Sequence, residues 1–322
     1  FESNLRITFE PNPEIPPETI QTTISNINTF CNSPEGLAFL TINLPQFQYI
    51  PAKKMSFIVI KNWILYKWDS IPNEIQLSIK QILFTYVIEN FESITEDIQN
   101  IICNVQSSFI WRTYPNLWPT FWAELFQSAP PIFILHFLYS FCIFSTSIKT
   151  DTDKVFSQIK IAIRSQGDIP ILQFLSSSIN QENDLPLKSL SYFIHWMSLD
   201  VILKEESLSL ILECVRKPST SAAALDCLTS LIDRGMDEGL KCQIIDSLQI
   251  AAQVRLICCS NANNEILYSA ARLIEVTGTF LINTEQCLPY YHIALLLLNN
   301  DDYKISACVT TFIQQFTKKY PD

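Results

Sequence analysis

The sequence predicts an all-α protein built from antiparallel helical hairpins laid one after another. Three observations carry this. Apolar residues recur three or four positions apart along almost the whole chain. The breaks between these runs are short and polar, such as "QGD", "KPS", "RGM" and "NAN". Finally, the chain has only 5 Gly, where average usage is about 7%, so tight hairpins and nucleotide-binding glycine loops have little to be built from.

The elements follow in order. "LRITFE" at 5–10 is the nearest approach to a strand, and suits a helix edge equally well. Phe57, Ile60, Ile64 and Trp68 then mark one helix; Ile71 and Pro72 break the pattern, and Ile75, Ile79, Ile82, Leu83 and Tyr86 resume it. That is a hairpin of two amphipathic helices. The next pair is expected at 94–113 and from 118 to 126 or beyond, separated by "TYPNLWP", where Pro115 and Pro119 disfavour helical geometry at the residues before them. Trp118, Phe121, Trp122 and Phe126 read as the start and buried stripe of that second helix, with Trp118 also suited to bordering a ligand surface. Helices are further expected over 131–147, 153–165, 168–180, 184–197, 199–215, 219–233, 237–258, 262–282, 285–299 and 302–319. A chain of such units fits a HEAT-like α-solenoid of about seven or eight hairpins, elongated rather than a single bundle. The tetratricopeptide and ankyrin patterns are absent.

Composition narrows the function. The 322 residues are 48% hydrophobic and 17% charged, enough apolar material for a folded chain. A net charge of -10 argues against general DNA binding, which needs many phosphate-neutralising cations, but leaves room for a local basic groove. Ten cysteines without C-x-x-C pairs signal neither a zinc knuckle nor a disulfide framework and point to a reducing compartment. Apolar runs such as 130–144 are interrupted and short of a membrane span, so a soluble protein is expected. The first residue is Phe rather than Met, which leaves a fragment and a processed chain open.

Several stretches carry a resemblance. "AKKMSFIVIKNWILYKWDSIPNEIQLSIKQIL" (52–83) and "NVQSSFIWRTYPNLWPTFWAELF" (104–126) resemble the exportin-1-like region near the N-terminus of beta-karyopherins. "YFIHWMSLDVIL" (192–203), "LIDRGMDEGLKCQIIDSL" (231–248) and "LLNNDDYKISACVTTFIQQF" (297–316) are similar, in the same order, to elements of the exportin-T family, the nuclear export receptors for tRNA. The likeness runs from about residue 18 to 319 and corresponds to the N-terminal third of a family member. It implies exportin-1-like HEAT repeats over 1–126 that bind Ran, and further repeats of the same solenoid over 127–322. It also implies a monomeric receptor, without enzymatic activity or cofactor, that binds Ran-GTP and tRNA together, meets nucleoporins, and shuttles between nucleus and cytoplasm. Another beta-karyopherin with protein cargo and a HEAT scaffold outside transport remain open beside it.

Two basic groups are the candidate contacts. Lys54 and Lys61 lie two turns apart on one helix face, with Lys53 and Lys67 flanking and a single acid, Asp69, within 51–70. The resemblance assigns Lys54, Lys61, Tyr66, Lys67 and Arg112 to Ran, whereas the residues alone fit a solvated face equally well. Arg112 also suits the negative end of its own helix. For RNA the candidates are Lys154, Lys160 and Arg164 on the helix expected at 153–165, with Lys241 and Arg255 further along. Cations on successive repeats suit shape-based recognition of RNA through its phosphates and 2′-hydroxyls.

Enzyme chemistry finds little support. His136, His195 and His292 sit in apolar helical settings without a metal-ligand partner four residues on, as core or boundary histidines do. No serine elbow or H-E-x-x-H motif occurs. The acids of "DTD" (151–153) and "NNDD" (299–302) stand at helix starts, where they serve as caps.

Overall fold

A computed structural model describes residues 1–10, 12–147, 153–179, 183–260 and 262–320, with the side chains of 153–155 outside the description. Among the described residues every regular element is helical, and none is a strand. The chain divides into two compact units, Phe1–Ile159 and Lys160–Asp322.

The first unit contains α1 (Glu2–Phe9), α2 (Pro17–Cys31), α3 (Pro34–Asn43), α4 (Ile50–Tyr66), α5 (Asn73–Asn90), α6 (Glu96–Thr113), α7 (Phe121–Ser128) and α8 (Pro131–Ser147). "LRITFE" is therefore helical up to Phe9, with Glu10 as the extended C-cap, and its Leu5 is fully buried. Proline opens α2, α3 and α8, where its missing N–H costs nothing and its fixed φ suits the first turn. α4 packs on α6 and α6 on α8, while α3 packs on α5. Lys54 pairs with Asp97 at the N-terminal ends of α4 and α6, and Arg112 reaches Leu65 at their C-terminal ends. These two helices therefore run parallel, each being the same member of successive hairpins. Phe57, Ile60 and Ile64 are fully buried along α4, as their spacing predicts.

The expected helix at 118–126 begins later. Trp118 stays outside α7 because Pro119 keeps it from helical geometry, and the turn closes instead through Leu117 and Trp118 N–H groups donating to Thr113 O, at 2.6 and 3.1 Å. Trp118 is buried nonetheless, and the buried stripe of α7 is Phe121, Trp122 and Leu125, with Phe126 half-buried. The Tyr114-Pro115 peptide in this corner is cis.

α9 (Asp153–Gln166) contains the boundary between the units. The second unit continues with α10 (Asp168–Ser178), α11 (Leu185–Phe193), α12 (Leu199–Ile202), α13 (Glu205–Val215), α14 (Ser221–Asp233), α15 (Glu238–Leu248), α16 (Ile250–Cys259), α17 (Asn264–Leu281), α18 (Leu288–Leu298) and α19 (Tyr303–Lys319). One layer is α11, α14, α17 and α19, each packed on the next; α13, α16 and α18 form the facing layer. Asn263 and Asp302 cap α17 and α19 by accepting backbone N–H bonds from Ile266 and Lys304. This bears out capping at "NNDD"; "DTD" falls outside the described residues or side chains. Gly278 of α17 has a packing reason, since a Cβ there would lie 2.4 Å from Phe312 Cζ of α19. Each unit is thus a stack of antiparallel hairpins of the HEAT-like α-solenoid kind.

Two expected helices are broken. Over 237–258 the chain turns at Gln249, φ 48 and ψ 44, and α15 and α16 are bent by 42°. A straight helix would point Ile244, Ile245 and Leu248 to one side and Ile250 and Val254 to nearly the opposite one, and all five are buried. The left-handed residue turns both faces inward. The same conflict, between Val201 and Ile202 and the buried set Ile211, Cys214 and Val215, divides 199–215 into α12 and α13.

Candidate functional site

The aromatic corner is architecture. Trp118, 1% exposed, makes edge-on contacts with Phe84, Phe109 and Phe121 at centroid distances of 5.4, 6.0 and 5.1 Å. Aromatic pairs favour this geometry because the positive ring edge meets a negative face. Burial pushes the nearby Tyr114 hydroxyl up to about 12, so it stays protonated. Leu77 and Leu117, both exposed, rim a shallow cavity of about 310 Å³ above Trp118, with the Lys80 ammonium 4.3 Å from the indole.

The five residues expected at Ran fall into two groups. On the α6 side of α4, Lys54 is paired with Asp97, whose carboxyl it holds down to about 2. At the far end Arg112 Nη2 donates to Leu65 O at 2.8 Å, giving a last-turn carbonyl of α4 the donor it lacks within the helix. Lys61, half-buried, lies on the same stripe as Lys54 and has no ion pair among the described residues. On the α2 side, Lys67 donates to Asn32 Oδ1 at 3.2 Å and covers the Trp63 ring at 4.6 Å, while the indole N–H of Trp63 donates to Cys31 O. Tyr66, 79% exposed, joins Lys67, Asn28, Asn32, Ile58 and Asn62 around a groove of about 350 Å³. Lys53 is half-buried.

Of the expected RNA contacts, the Lys154 side chain lies outside the described residues. Lys160 and Arg164 share a face of α9, and the fold adds a third cation, Arg234, just after α14. Arg164 Nε donates to Trp196 O at 2.8 Å and Arg234 Nη1 to Ile194 O at 2.6 Å. Burial, then the charges of Arg164 and Arg234, lower the pKa of Lys160. Burial also lowers His195, against the opposing pull of Asp233. Lys241 stands elsewhere, over the Phe280 ring at 4.8 Å, and exposed Arg255 lines a cavity with His292 and Leu296. Arg234 escaped the sequence reading because nothing local ties it to residues some 70 positions earlier; only the packing of α11 and α14 does.

The histidines divide as well. His136 is half-buried beside Phe91 with its pKa lowered by burial, and His292 is exposed. None of the ten cysteines is joined in a disulfide, and burial raises the thiols at Cys103, Cys142 and Cys227, leaving them protonated packing groups. Among the described residues no cluster of His, Cys, Asp or Glu could hold a metal ion, and no single helix is long and apolar enough to cross a membrane.

Comparison with known proteins adds one family. Residues 95–228, under half of the chain, match the model of Exportin 1-like protein. The match begins at the N-cap of α6, includes Arg112, Lys160 and Arg164, and ends within α14. None of the curated proteins compared matches the chain. The solved structure of an engineered protein aligns over 98% of this chain and 78% of its own, at 13% identity and a TM-score of 0.41. The chain thus contains a domain resembling the Exportin 1-like proteins of the karyopherin superfamily, set within a framework whose regular elements are all helical among the described residues.

Proposed function

We propose that the chain belongs to a nuclear export receptor that binds tRNA cooperatively with Ran-GTP, meets nucleoporins, and shuttles between nucleus and cytoplasm. The observation that carries this is the Exportin 1-like match over residues 95–228. In this reading Lys61, Tyr66 and Lys67 of the α4 region meet Ran, with Lys54, paired with Asp97 at the N-terminal end of α4, and Arg112, bonded to Leu65 O at its C-terminal end, as further contacts. RNA phosphates meet Lys160 and Arg164, with Lys154, Lys241 and Arg255 as further contacts. Each ligand favours the conformation the other requires, so the coupling between them is reciprocal.

The test titrates labelled tRNA into the full protein with Ran-GTP, with Ran-GDP and with neither, for wild type and for Lys61→Glu/Lys67→Glu. Wild type should bind tRNA more tightly with Ran-GTP alone. The variant should lose Ran affinity most steeply at low salt, where exposed charges are least screened, and tRNA affinity with it. Ran-GTP binding without any tRNA response would favour a karyopherin with protein cargo. An absence of Ran binding would leave a scaffold outside transport.

A further inference from the structure

Three cations converge on one helix end in the second unit. α11 stops at Phe193, and the carbonyls of Ile194 and Trp196 behind it receive Arg234 and Arg164. Lys160, one turn before Arg164, stands in the field of both guanidiniums, and half-buried His195 lies between the two carbonyls in sequence.

A helix C-terminus accounts for part of this. Its last carbonyls lack intrahelical donors and carry the negative end of the macrodipole, so a cation there is stabilising. Elsewhere in the protein one cation serves such an end: Arg112 donates to Leu65 O, and Lys319 to Ile282 O. At α11 there are two guanidiniums, with an ammonium in the field of both. None of the three has an ion pair among the described residues. Each guanidinium spends one N–H on a carbonyl, and Lys160 has no hydrogen bond at all among these residues. Asp233 is the acid that His195 feels, and it is itself within the field of Glu275.

Arg234 is buried, Lys160 half-buried and Arg164 exposed. Like charges so gathered destabilise one another where burial keeps water from screening them, and a bound anion relieves that repulsion. The donors left over describe that anion. Guanidinium forks match the oxygens of a phosphate, and an ammonium adds a point charge. Arg234 is only 9% exposed, so a single small group reaches it rather than an extended surface.

We propose that Lys160, Arg164 and Arg234 form a recess that takes one phosphate group, supplied by an RNA backbone. The RNA source rests on the cargo reading above; the phosphate recess does not.

Two measurements on the full chain test it, each with wild type and Lys160→Gln. In the first, thermal melts are recorded in sodium phosphate and in sodium chloride of matched ionic strength. Wild type should melt higher in phosphate and the variant should lose that increment. In chloride the variant should melt no lower than wild type, because Lys160 makes no bond and suffers repulsion. In the second, an RNA hairpin is titrated across a salt series; the variant should bind about tenfold more weakly and its log K against log salt slope should fall by about one. Equal phosphate increments, or a variant that melts far lower in chloride, would overturn the recess whatever RNA does. A lost phosphate increment with unchanged RNA affinity and slope would overturn RNA as the source. If wild type binds no RNA, the cargo reading falls with the RNA source, and the melts alone decide the recess.

Discussion

Trp118 offers the sharpest test of how the first unit is held together. Its indole is buried against Phe84, Phe109 and Phe121, and each edge-on pair is worth about 0.5–1.5 kcal/mol beyond the area it buries. Truncation to Ala should cost about 3–5 kcal/mol through lost transfer energy and the cavity left behind. One term opposes the indole: its Nε1 is buried without a hydrogen-bond partner among the described residues, a standing cost of about 1–3 kcal/mol. Trp118→Phe removes that orphan donor while keeping most of the ring. The two substitutions should therefore separate widely. At about 2–4 °C per kcal/mol for a unit of this size, Trp118→Ala should lower the melting temperature by roughly 6–20 °C, and Trp118→Phe by no more than ~3 °C. Calorimetry with near-ultraviolet circular dichroism reads both. A Phe variant as unstable as the Ala variant would show that the indole N–H has an indispensable partner, and an Ala variant within ~2 °C of wild type would refute the buried corner.

Three further outcomes are expected. Gly278→Ala should lower the urea midpoint, because a Cβ 2.4 Å from Phe312 Cζ meets a ring with no exposed surface; overpacking of about 1–3 kcal/mol exceeds the roughly 1 kcal/mol of helix propensity gained. An unchanged midpoint would mean the ring moves aside. Gln249→Gly should be neutral or stabilising by up to about 1 kcal/mol, since relief of the left-handed backbone at φ 48 offsets the entropy of glycine, whereas Gln249→Val should destabilise; denaturant melts in which Val is the better tolerated would exclude this. Lys54 holds the Asp97 carboxyl at about 2, below the ~3.9 of an unfolded chain. Its contribution to stability is thus complete above about pH 4 and lost as pH falls through about 2. In Lys54→Met the Asp97 midpoint, followed by carbonyl NMR, should rise toward ~3.9; an unmoved midpoint would exclude the pair.

The hairpins were legible because helical periodicity is local. Phe57, Ile60 and Ile64 announce a buried face through their spacing alone, and the structure buries all three. Proline is equally local, which is why the corner at 114–119 could be read as a break. The exact start of α7 depends on Pro119 acting against an aromatic run that would otherwise continue the helix. Lys160 and Arg164 could be paired from sequence as neighbours on a helix face, and Tyr66 and Lys67 as neighbours in the chain. Their surroundings could not.

Apolar spacing and composition alone make the described residues of this protein helical, poor in glycine, and supplied with two basic groups in an acidic chain. Where those helices break, and what the cations face, follows from packing between distant segments. Gln249 turns because Ile244 and Val254 must both reach apolar surroundings that lie on opposite sides of a straight helix. Arg234 meets Arg164 because α14 packs on α11, carrying its charge to carbonyls 40 residues away. Periodicity records which side of a helix avoids water; which other helix covers that side, and which charges are thereby brought together, is settled only when distant segments pack.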